Sequence, residues 1–269
     1  MRAAFLTLPI AIFIGLPAYA GPLIPHRAVY NLALDTASDR SGITGISGRM
    51  VYEFAGSSCD GYTVTFRFVT QIDTPDVTRI TDQQTTTFEE GNGESFSFMT
   101  RSFVDSAIES ELKGVARAGG EGTVVSIEKP EKQEVELEKT QFPTQHLVEL
   151  LDKARAGETF YETTLFDGSE NADRIMTTTV IIGRGAKVLA NDPEAKAVEK
   201  IAADEFWPVD IAYFDLAGDQ GEEVPTYRIS FKLHESGVTR DLVMDYGDFS
   251  MTGTLVDLAM FEPAKDCPQ

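Results

Sequence analysis

The chain has 269 residues, 42% of them hydrophobic and 25% charged, which excludes an intrinsically disordered protein and a polytopic membrane protein. Its 43 acidic and 23 basic residues give a formal net charge of −20, and this excess excludes nucleic acid as a partner, since phosphate binding needs a basic surface. The length fits one or two domains, and β-rich domains often reach it as one unit.

The first twenty residues have the features of a signal peptide. Arg2 supplies a positive charge, the run from Ala3 to Leu16 is almost entirely apolar, and Ala18-Tyr19-Ala20 is a small-x-small cleavage site. The apolar run would be about 21 Å long as a helix, which is too short for a hydrocarbon core of about 30 Å. We therefore predict cleavage after Ala20, export, and no transmembrane segment in the mature chain.

The rest of the sequence predicts strand after strand. Alternating apolar residues, such as Ala28, Tyr30 and Leu32, are typical of half-buried strands. Turn residues at 56–61 and 90–93 predict two hairpins. About a dozen strands are predicted, at 28–34, 50–54, 62–68, 85–88, 95–98, 108–115, 123–129, 159–166, 174–182, 209–214, 226–233, 238–246 and 249–258.

Two helices interrupt the strands. The first begins at Pro143 with Thr144 as its predicted N-cap, and Gly157 is expected to end it. Its apolar residues recur at helical spacing and must lie against the interior of the sheet: Leu147, Leu150, Leu151 and Ala154. The second is predicted from Asp192-Pro193 to about Ala203, and we expect it on the outside because it has few strongly apolar residues.

No repeat or linker divides the mature chain, so residues 21–269 are predicted to form a single domain. The charged run from Lys129 to Lys139 contains Pro130 and is interpreted as a mobile connection. Because a sheet of a dozen strands cannot stay flat, we expect it to coil around the first helix.

Cys59 and Cys267 are the two cysteines of this exported chain. An oxidising compartment favours a disulfide between them. A metal site would need further ligands at suitable spacing, and neither cysteine has them. A reactive thiol would need positively charged neighbours, whereas the adjacent residues are Asp60 and Asp266. We therefore predict one disulfide and no metal site.

No set of residues predicts catalysis. The histidines His26, His146 and His234 are isolated in the sequence and are interpreted as residues at the surface or at the ends of strands and of the first helix. Gly183-Arg184-Gly185 lacks the third glycine and the helix of a dinucleotide-binding loop. We therefore predict no catalytic residue and no cofactor.

Two acidic segments are compatible with more than one interpretation. Residues 167–173 resemble the start of a calcium loop, but Ala172 stands where a glycine is required, so the alternative is an acidic turn. Asp245 and Asp248 are a close carboxylate pair of the kind that glycosidases use, but among 43 acidic residues such pairs arise by chance, and their position between two strands favours a hairpin turn.

Several segments together resemble the cell envelope integrity EipB family of exported Gram-negative proteins. They extend from about His26 to Cys267, and 186–205 matches least closely. The segments are Gly48-Arg49-Met50-Val51-Tyr52-Glu53-Phe54, Cys59-Asp60-Gly61-Tyr62-Thr63-Val64, Thr81-Asp82, Thr85-Thr86-Thr87-Phe88-Glu89, Phe142-Pro143-Thr144-Gln145-His146-Leu147, Trp207-Pro208-Val209, Tyr213-Phe214-Asp215, Gly237-Val238, Arg240-Asp241-Leu242 and Asp245-Tyr246-Gly247-Asp248-Phe249, with Cys267.

The resemblance implies a mainly β fold: a single long antiparallel sheet coiled into a β-spiral or incomplete barrel. We expect one buried or capping helix and one short peripheral helix. It also implies a bridge between Cys59 and Cys267, a periplasmic location, and a role in envelope integrity alongside a tetratricopeptide-repeat protein. The fold it implies is similar to that of half-barrel carriers of lipids and lipoproteins.

Three functional hypotheses follow. The first is a non-enzymatic periplasmic factor that binds a partner protein or an envelope component such as a peptide. The second is a lipid or lipoprotein carrier, which requires an apolar pocket of several hundred Å³. The third, an envelope-polymer hydrolase, requires a cleft with converging carboxylates or histidines.

Overall fold

A computed structural model of the protein describes residues 23–169, 171–215 and 224–262. The predicted signal peptide, residues 1–20, lies outside these ranges, so its cleavage remains a prediction. Within them the chain forms fourteen strands, one α-helix and one short 3₁₀ turn. None of the described helices is long and apolar enough to cross a membrane.

The elements are numbered in chain order. Helix α1 (Pro143–Ala156) lies between β8 and β9, and the 3₁₀ turn (Glu199–Ile201) lies between β10 and β11. The strands are β1 (His26–Ala37), β2 (Gly45–Ser57), β3 (Gly61–Asp73), β4 (Thr78–Glu89), β5 (Ser95–Val104), β6 (Ala107–Ala118), β7 (Thr123–Lys129), β8 (Gln133–Leu137), β9 (Phe160–Leu165), β10 (Met176–Ile182), β11 (Phe206–Phe214), β12 (Tyr227–His234), β13 (Thr239–Asp245) and β14 (Phe249–Met260).

All fourteen described strands belong to one antiparallel sheet. Strands β1 to β8 and β9 to β14 form two meanders, which pairing between β1 and β14 joins. That pairing extends from His26 opposite Met260 to Ala37 opposite Phe249. Strands β8 and β9 are therefore the two edges of the sheet, and α1 connects them along the chain.

The two edges meet at one point. The N–H of Gln141, which follows β8, donates to the carbonyl of Thr164 in β9 at 3.3 Å, and the carbonyl of Gln141 accepts the N–H of Phe166 at 2.9 Å. Strands β8 and β9 themselves are not neighbours in the sheet. The sheet is thus coiled on itself without closing into a barrel, which confirms the predicted fold.

Alternation of apolar residues decides which face of each strand turns inward. In β1, Ala28, Tyr30 and Leu32 are buried, whereas Arg27 and Asn31 are exposed. Three clusters of buried side chains fill the inner side of the sheet. The first cluster contains side chains mainly from β1, β2, β13 and β14. The second contains side chains mainly from α1 and β10 to β12, and the third mainly from β5 to β7.

Strand β8 was not predicted, because the sequence indicated a connection from Lys129 to Lys139. Only Val135 and Leu137 of β8 turn toward the core, and its other side chains are exposed. A five-residue edge strand with so few apolar residues gives no clear alternation. Pairing with β7 at all five positions, from Gln133 to Leu137, decides its structure.

The second predicted helix is wrong in type and in position. Residues 199–201 form only a 3₁₀ turn, and Val198 and Ile201 are buried in the cluster of β1, β2, β13 and β14. The segment is therefore not peripheral. Asp192 does not cap a helix as predicted; its Oδ1 accepts the N–H of Glu194 at 2.9 Å in a turn that precedes the 3₁₀ turn.

Candidate functional site

The four apolar residues predicted on the first helix lie on its inward side. Leu150, Leu151 and Ala154 are buried, and Leu147 is half-buried against the same cluster. The side chains that surround them face inward from β2 and β9 to β12 and include Phe54, Tyr161, Val180, Ile182, Val209, Ile211 and Leu233. Helix α1 thus packs against the inner face of the coiled sheet.

The ends of α1 agree only in part with the prediction. The N-cap is Phe142 rather than Thr144, and no side chain of the cap accepts a helix N–H. Pro143 occupies the first helical position and fixes where the helix begins. Gly157 ends the helix in the left-handed conformation, as predicted, with φ of 77°.

Glu89, at the end of β4, provides the missing cap. Its carboxylate accepts the N–H of Thr144 at 2.7 Å and the N–H of Gln145 at 3.0 Å. The side chain is buried, and burial raises the pKa of this carboxyl while the two helix amides oppose that change. Glu89 therefore joins the β4–β5 hairpin to the start of α1 by charge-assisted hydrogen bonds.

Replacing Glu89 by alanine is expected to lower the free energy of unfolding by about 2 kcal/mol, because it leaves the buried N–H of Thr144 and the partly buried N–H of Gln145 without their acceptor. Urea unfolding followed by circular dichroism measures the change. Glu90→Ala is the matched control, since Glu90 is exposed and should cost less than about 0.5 kcal/mol. Equal losses for the two variants would contradict the role of Glu89 as a cap.

A groove of about 900 Å³ follows α1, and the helix residues along it extend from Thr144 to Ala156. The opposite wall consists of hairpin residues Ser58, Gly91 and Gly93 and of the segment from Lys139 to Gln141. Most lining residues are polar, and the charged ones are Glu89, Glu149, Asp152, Glu158, Lys139 and Lys153. The groove is therefore amphipathic: its charged residues make it slightly acidic, and more of its exposed surface is apolar than polar.

The inner face of the sheet has apolar side chains that the core covers only in part. They lie at inward positions of β2, β3, β11 and β12, yet each is only half-buried: Tyr52, Phe66, Phe68, Tyr213, Tyr227, Ile229 and Phe231. Burial nevertheless raises the pKa of the Tyr52 and Tyr213 hydroxyls. The protein's own side chains thus leave part of this apolar inner face accessible.

A buried ionic network fixes the connection between β10 and β11. Arg240 in β13 has 0% of its surface exposed. Its Nη1 donates to Asp192 at 3.0 Å and to Glu194 at 3.2 Å, and its Nε donates to Nε2 of His234 at 2.8 Å. Glu194 also accepts the N–H of Leu255 at 2.6 Å. The network therefore holds the connection against β12, β13 and β14.

The protonation states within this network follow from burial and charge. Burial lowers the pKa of His234 to about 4, and the positive charge of Arg240 acts in the same direction. Burial raises the pKa of Glu194, whereas for Asp192 the N–H of Glu194 and the charge of Arg240 outweigh burial and lower the pKa. At pH 7 His234 is therefore neutral and accepts the hydrogen bond from Arg240.

The other residues considered from the sequence lie in separate parts of the fold. Asp245 and Asp248 lie at the β13–β14 turn, where Asp248 pairs with Arg40 at 3.0 Å. Gly183-Arg184-Gly185 begins the connection after β10. Residues 167–173 connect β9 with β10, and Glu170 lies outside the described residues.

The predicted disulfide stays a prediction. Cys59 lies in the turn between β2 and β3, next to Ser58 of the groove wall. Cys267 lies outside the described residues.

The sequence did not identify Glu89 as a cap or Arg240 as the centre of a network. None of the three histidines is at the surface: His26, His146 and His234 are all buried. A weak signal existed for Glu89, since no acidic residue occupies the first turn of α1. Arg240 and Asp192 are 48 positions apart in the sequence, and no local pattern connects them.

The fold and the groove define a class of protein: a coiled antiparallel sheet that holds an internal helix. The chain belongs to the EipB-like family, whose model matches residues 17–262. It is 51% identical over 250 residues to the cell envelope integrity protein EipB of Brucella abortus (strain 2308), covering 93% of this chain and 88% of the relative.

A solved structure agrees with this assignment. It is the crystal structure of a β-barrel-like protein of a domain of unknown function, DUF1849, also from Brucella abortus. The TM-score is 0.85 with 51% sequence identity, and the match covers 89% of this chain and 99% of that chain.

Proposed function

We propose that this protein is a non-enzymatic periplasmic factor that maintains cell-envelope integrity by binding a partner protein or an envelope component. The observation that carries the proposal is the match along 93% of the chain to a relative named for cell envelope integrity. The groove beside α1 supports a binding role, because Glu89 and packing against the inner face of the sheet hold the helix that forms one of its walls. A tetratricopeptide-repeat protein is the partner that the family resemblance implies.

Complementation of a deletion strain tests the proposal. Loss of the gene should increase sensitivity to detergent and to cell-wall antibiotics, and the wild-type gene should restore resistance. Ala156→Arg, at an exposed position that lines the groove, should restore resistance poorly, because the long cationic side chain obstructs binding.

Ala107→Arg is the matched control, since Ala107 is exposed on β6, away from the groove. Both variants should have the melting temperature of the wild type. A deletion strain with unchanged envelope sensitivity would contradict the envelope role. Full complementation by Ala156→Arg would show that binding does not use the groove.

A lipid or lipoprotein carrier is the second candidate function. The half-buried apolar residues of the inner face favour it, because an acyl chain would cover them and remove apolar surface from water. Native mass spectrometry of the protein purified from its own periplasm should then detect bound lipid, and Ile229→Glu should abolish it. A spectrum of lipid-free protein would rule against this candidate.

A further inference from the structure

The edge of the sheet at β9 has backbone groups without partners. The N–H of Ile182 donates to the carbonyl of Thr159 at 2.9 Å, so Thr159, Tyr161 and Thr163 direct their hydrogen-bonding groups toward β10. In an antiparallel ladder the alternate residues, Phe160 and Glu162, then direct theirs away from β10. Among the described residues no hydrogen bond to these backbone groups is present.

The same alternation of hydrogen-bonding directions shows that the end of β9 already has a backbone partner, Gln141. Thr164 is the next residue of the outward-directed set, and its carbonyl accepts the N–H of Gln141. Gln141 therefore continues the sheet beside the end of β9 and leaves its beginning open. The open part extends from Thr159 to Thr163, a length of about 15 Å at the usual rise per residue.

The side chains on the outer face of this open edge are apolar and acidic. Phe160 and Ile181 are directly opposite each other, and 59% and 52% of their surfaces are exposed. Glu162 follows Phe160 on the same face, is exposed, and forms no ion pair with the described residues. An adjacent strand would cover the two apolar side chains and place one of its own side chains beside the carboxylate of Glu162.

The other edge of the sheet differs in character. The exposed residues of β8 include Gln133, Glu134 and Glu136, and charged residues of this kind discourage pairing with another strand. The β8 edge therefore has the protection that native edge strands usually carry. The beginning of β9 has an unpaired backbone, an exposed aromatic ring and a single carboxylate.

We propose that the open edge of β9 binds an extended peptide segment of a partner protein as an additional β-strand. The segment has an apolar side chain beside Phe160 and a lysine or arginine beside Glu162. Backbone hydrogen bonds to Phe160 and Glu162 supply the affinity, and the two side-chain positions supply the specificity. The proposal rests on the proposed binding function and names the chemistry of the partner.

Synthetic peptides test this proposal directly. The probe is a fluorescent peptide of eight residues in which threonine occupies every second position and valine and lysine alternate between them. Its binding to the mature protein, followed by fluorescence anisotropy, should weaken at least tenfold when the backbone is N-methylated, because the methyl groups prevent pairing with the edge. Equal binding of the methylated peptide would overturn the proposal.

Charge reversal tests the side-chain specificity. Glu162→Lys should weaken binding of the lysine peptide roughly fivefold or more and strengthen binding of a peptide with glutamate in place of lysine. Glu134→Lys, on the β8 edge, is the matched control and should change neither affinity. If Glu134→Lys changes binding as much as Glu162→Lys, general electrostatic attraction explains the binding and the site is not at β9.

Failure of the β9 proposal can be distinguished from failure of the proposed envelope function. The deletion strain reports on the envelope role whether or not the peptide binds, and Glu162→Lys in that strain reports on the edge. Absence of peptide binding together with a deletion phenotype would overturn only the β9 site.

Discussion

Replacing Arg240 by methionine is expected to lower the free energy of unfolding by about 3–5 kcal/mol, since it leaves the buried carboxylate of Glu194 without its counter-charge and Asp192 with the more distant Lys232, at 3.6 Å. Asp192 and Glu194 both lie within 3.2 Å of the guanidinium. Methionine has a similar length and fills the space of the arginine stem, so the loss is mainly electrostatic. Chemical unfolding of wild type and variant measures it.

Two further variants make this prediction specific. Arg228→Met removes the ion pair with Asp210, which has a similar N–O distance of 2.8 Å but an arginine side chain that is 53% exposed. Such surface pairs contribute at most about 1 kcal/mol, so Arg228→Met should change stability little. Combining Arg240→Met with Asp192→Asn and Glu194→Gln should recover part of the loss, because the buried groups are then neutral.

The position of the network predicts which part of the Arg240→Met variant unfolds locally first. Val198 and Ile201 depend on the connection that Asp192 and Glu194 anchor. Their amide hydrogens should therefore exchange faster in Arg240→Met, while those of β3 and β4 change little. Equal stability of Arg240→Met and Arg228→Met would show that the buried charges do not stabilise the fold.

Breaking the predicted disulfide is expected to lower the free energy of unfolding by about 2–5 kcal/mol. Cys59 and Cys267 are 208 positions apart, and the entropy lost on closing a loop of this size raises the free energy of the unfolded chain by up to roughly 5 kcal/mol. For a protein of this size the melting temperature should fall by about 2–4 °C for each kcal/mol. Calorimetry of Cys59→Ser measures the change.

The controls for this prediction use the same two cysteines. Cys267→Ser and the double variant should melt at the same temperature as Cys59→Ser. Reductant should lower the melting temperature of the wild type to the same value and leave the melting temperatures of the variants unchanged. Two thiols that react with a thiol reagent in the oxidised, folded protein would contradict the bridge. Identical melting of wild type with and without reductant would contradict its contribution to stability.

The sequence alone predicted the local elements that have strong periodic signals. Alternation in β1, β2 and β3 fixed which face is buried, and the turns before Gly61 and at 90–93 gave two hairpins. Helix α1 was predictable because its stripe, its proline start and its glycine end agree. Strand β8 was not, since short exposed edge strands lack periodicity.

The site depended on contacts between distant parts of the chain. The cap of α1 comes from Glu89, whose bonded partner Thr144 lies 55 positions away, and no rule of local capping predicts an acceptor from a distant strand. The groove exists only because two hairpin turns and the segment from Lys139 to Gln141 meet one side of the helix. The 3₁₀ turn lies inside because the ionic network holds its connection there.

The sequence by itself determined that this protein is a single, acidic, mainly β chain with one helix directed at the core, because strand and helix periodicity are local properties of consecutive residues. Only the tertiary structure decided where the two ends of the sheet meet, which carboxylate caps the helix, and that Arg240 is fully buried. These features depend on long-range pairing, and its free energy is set by burial and charge rather than by neighbouring residues.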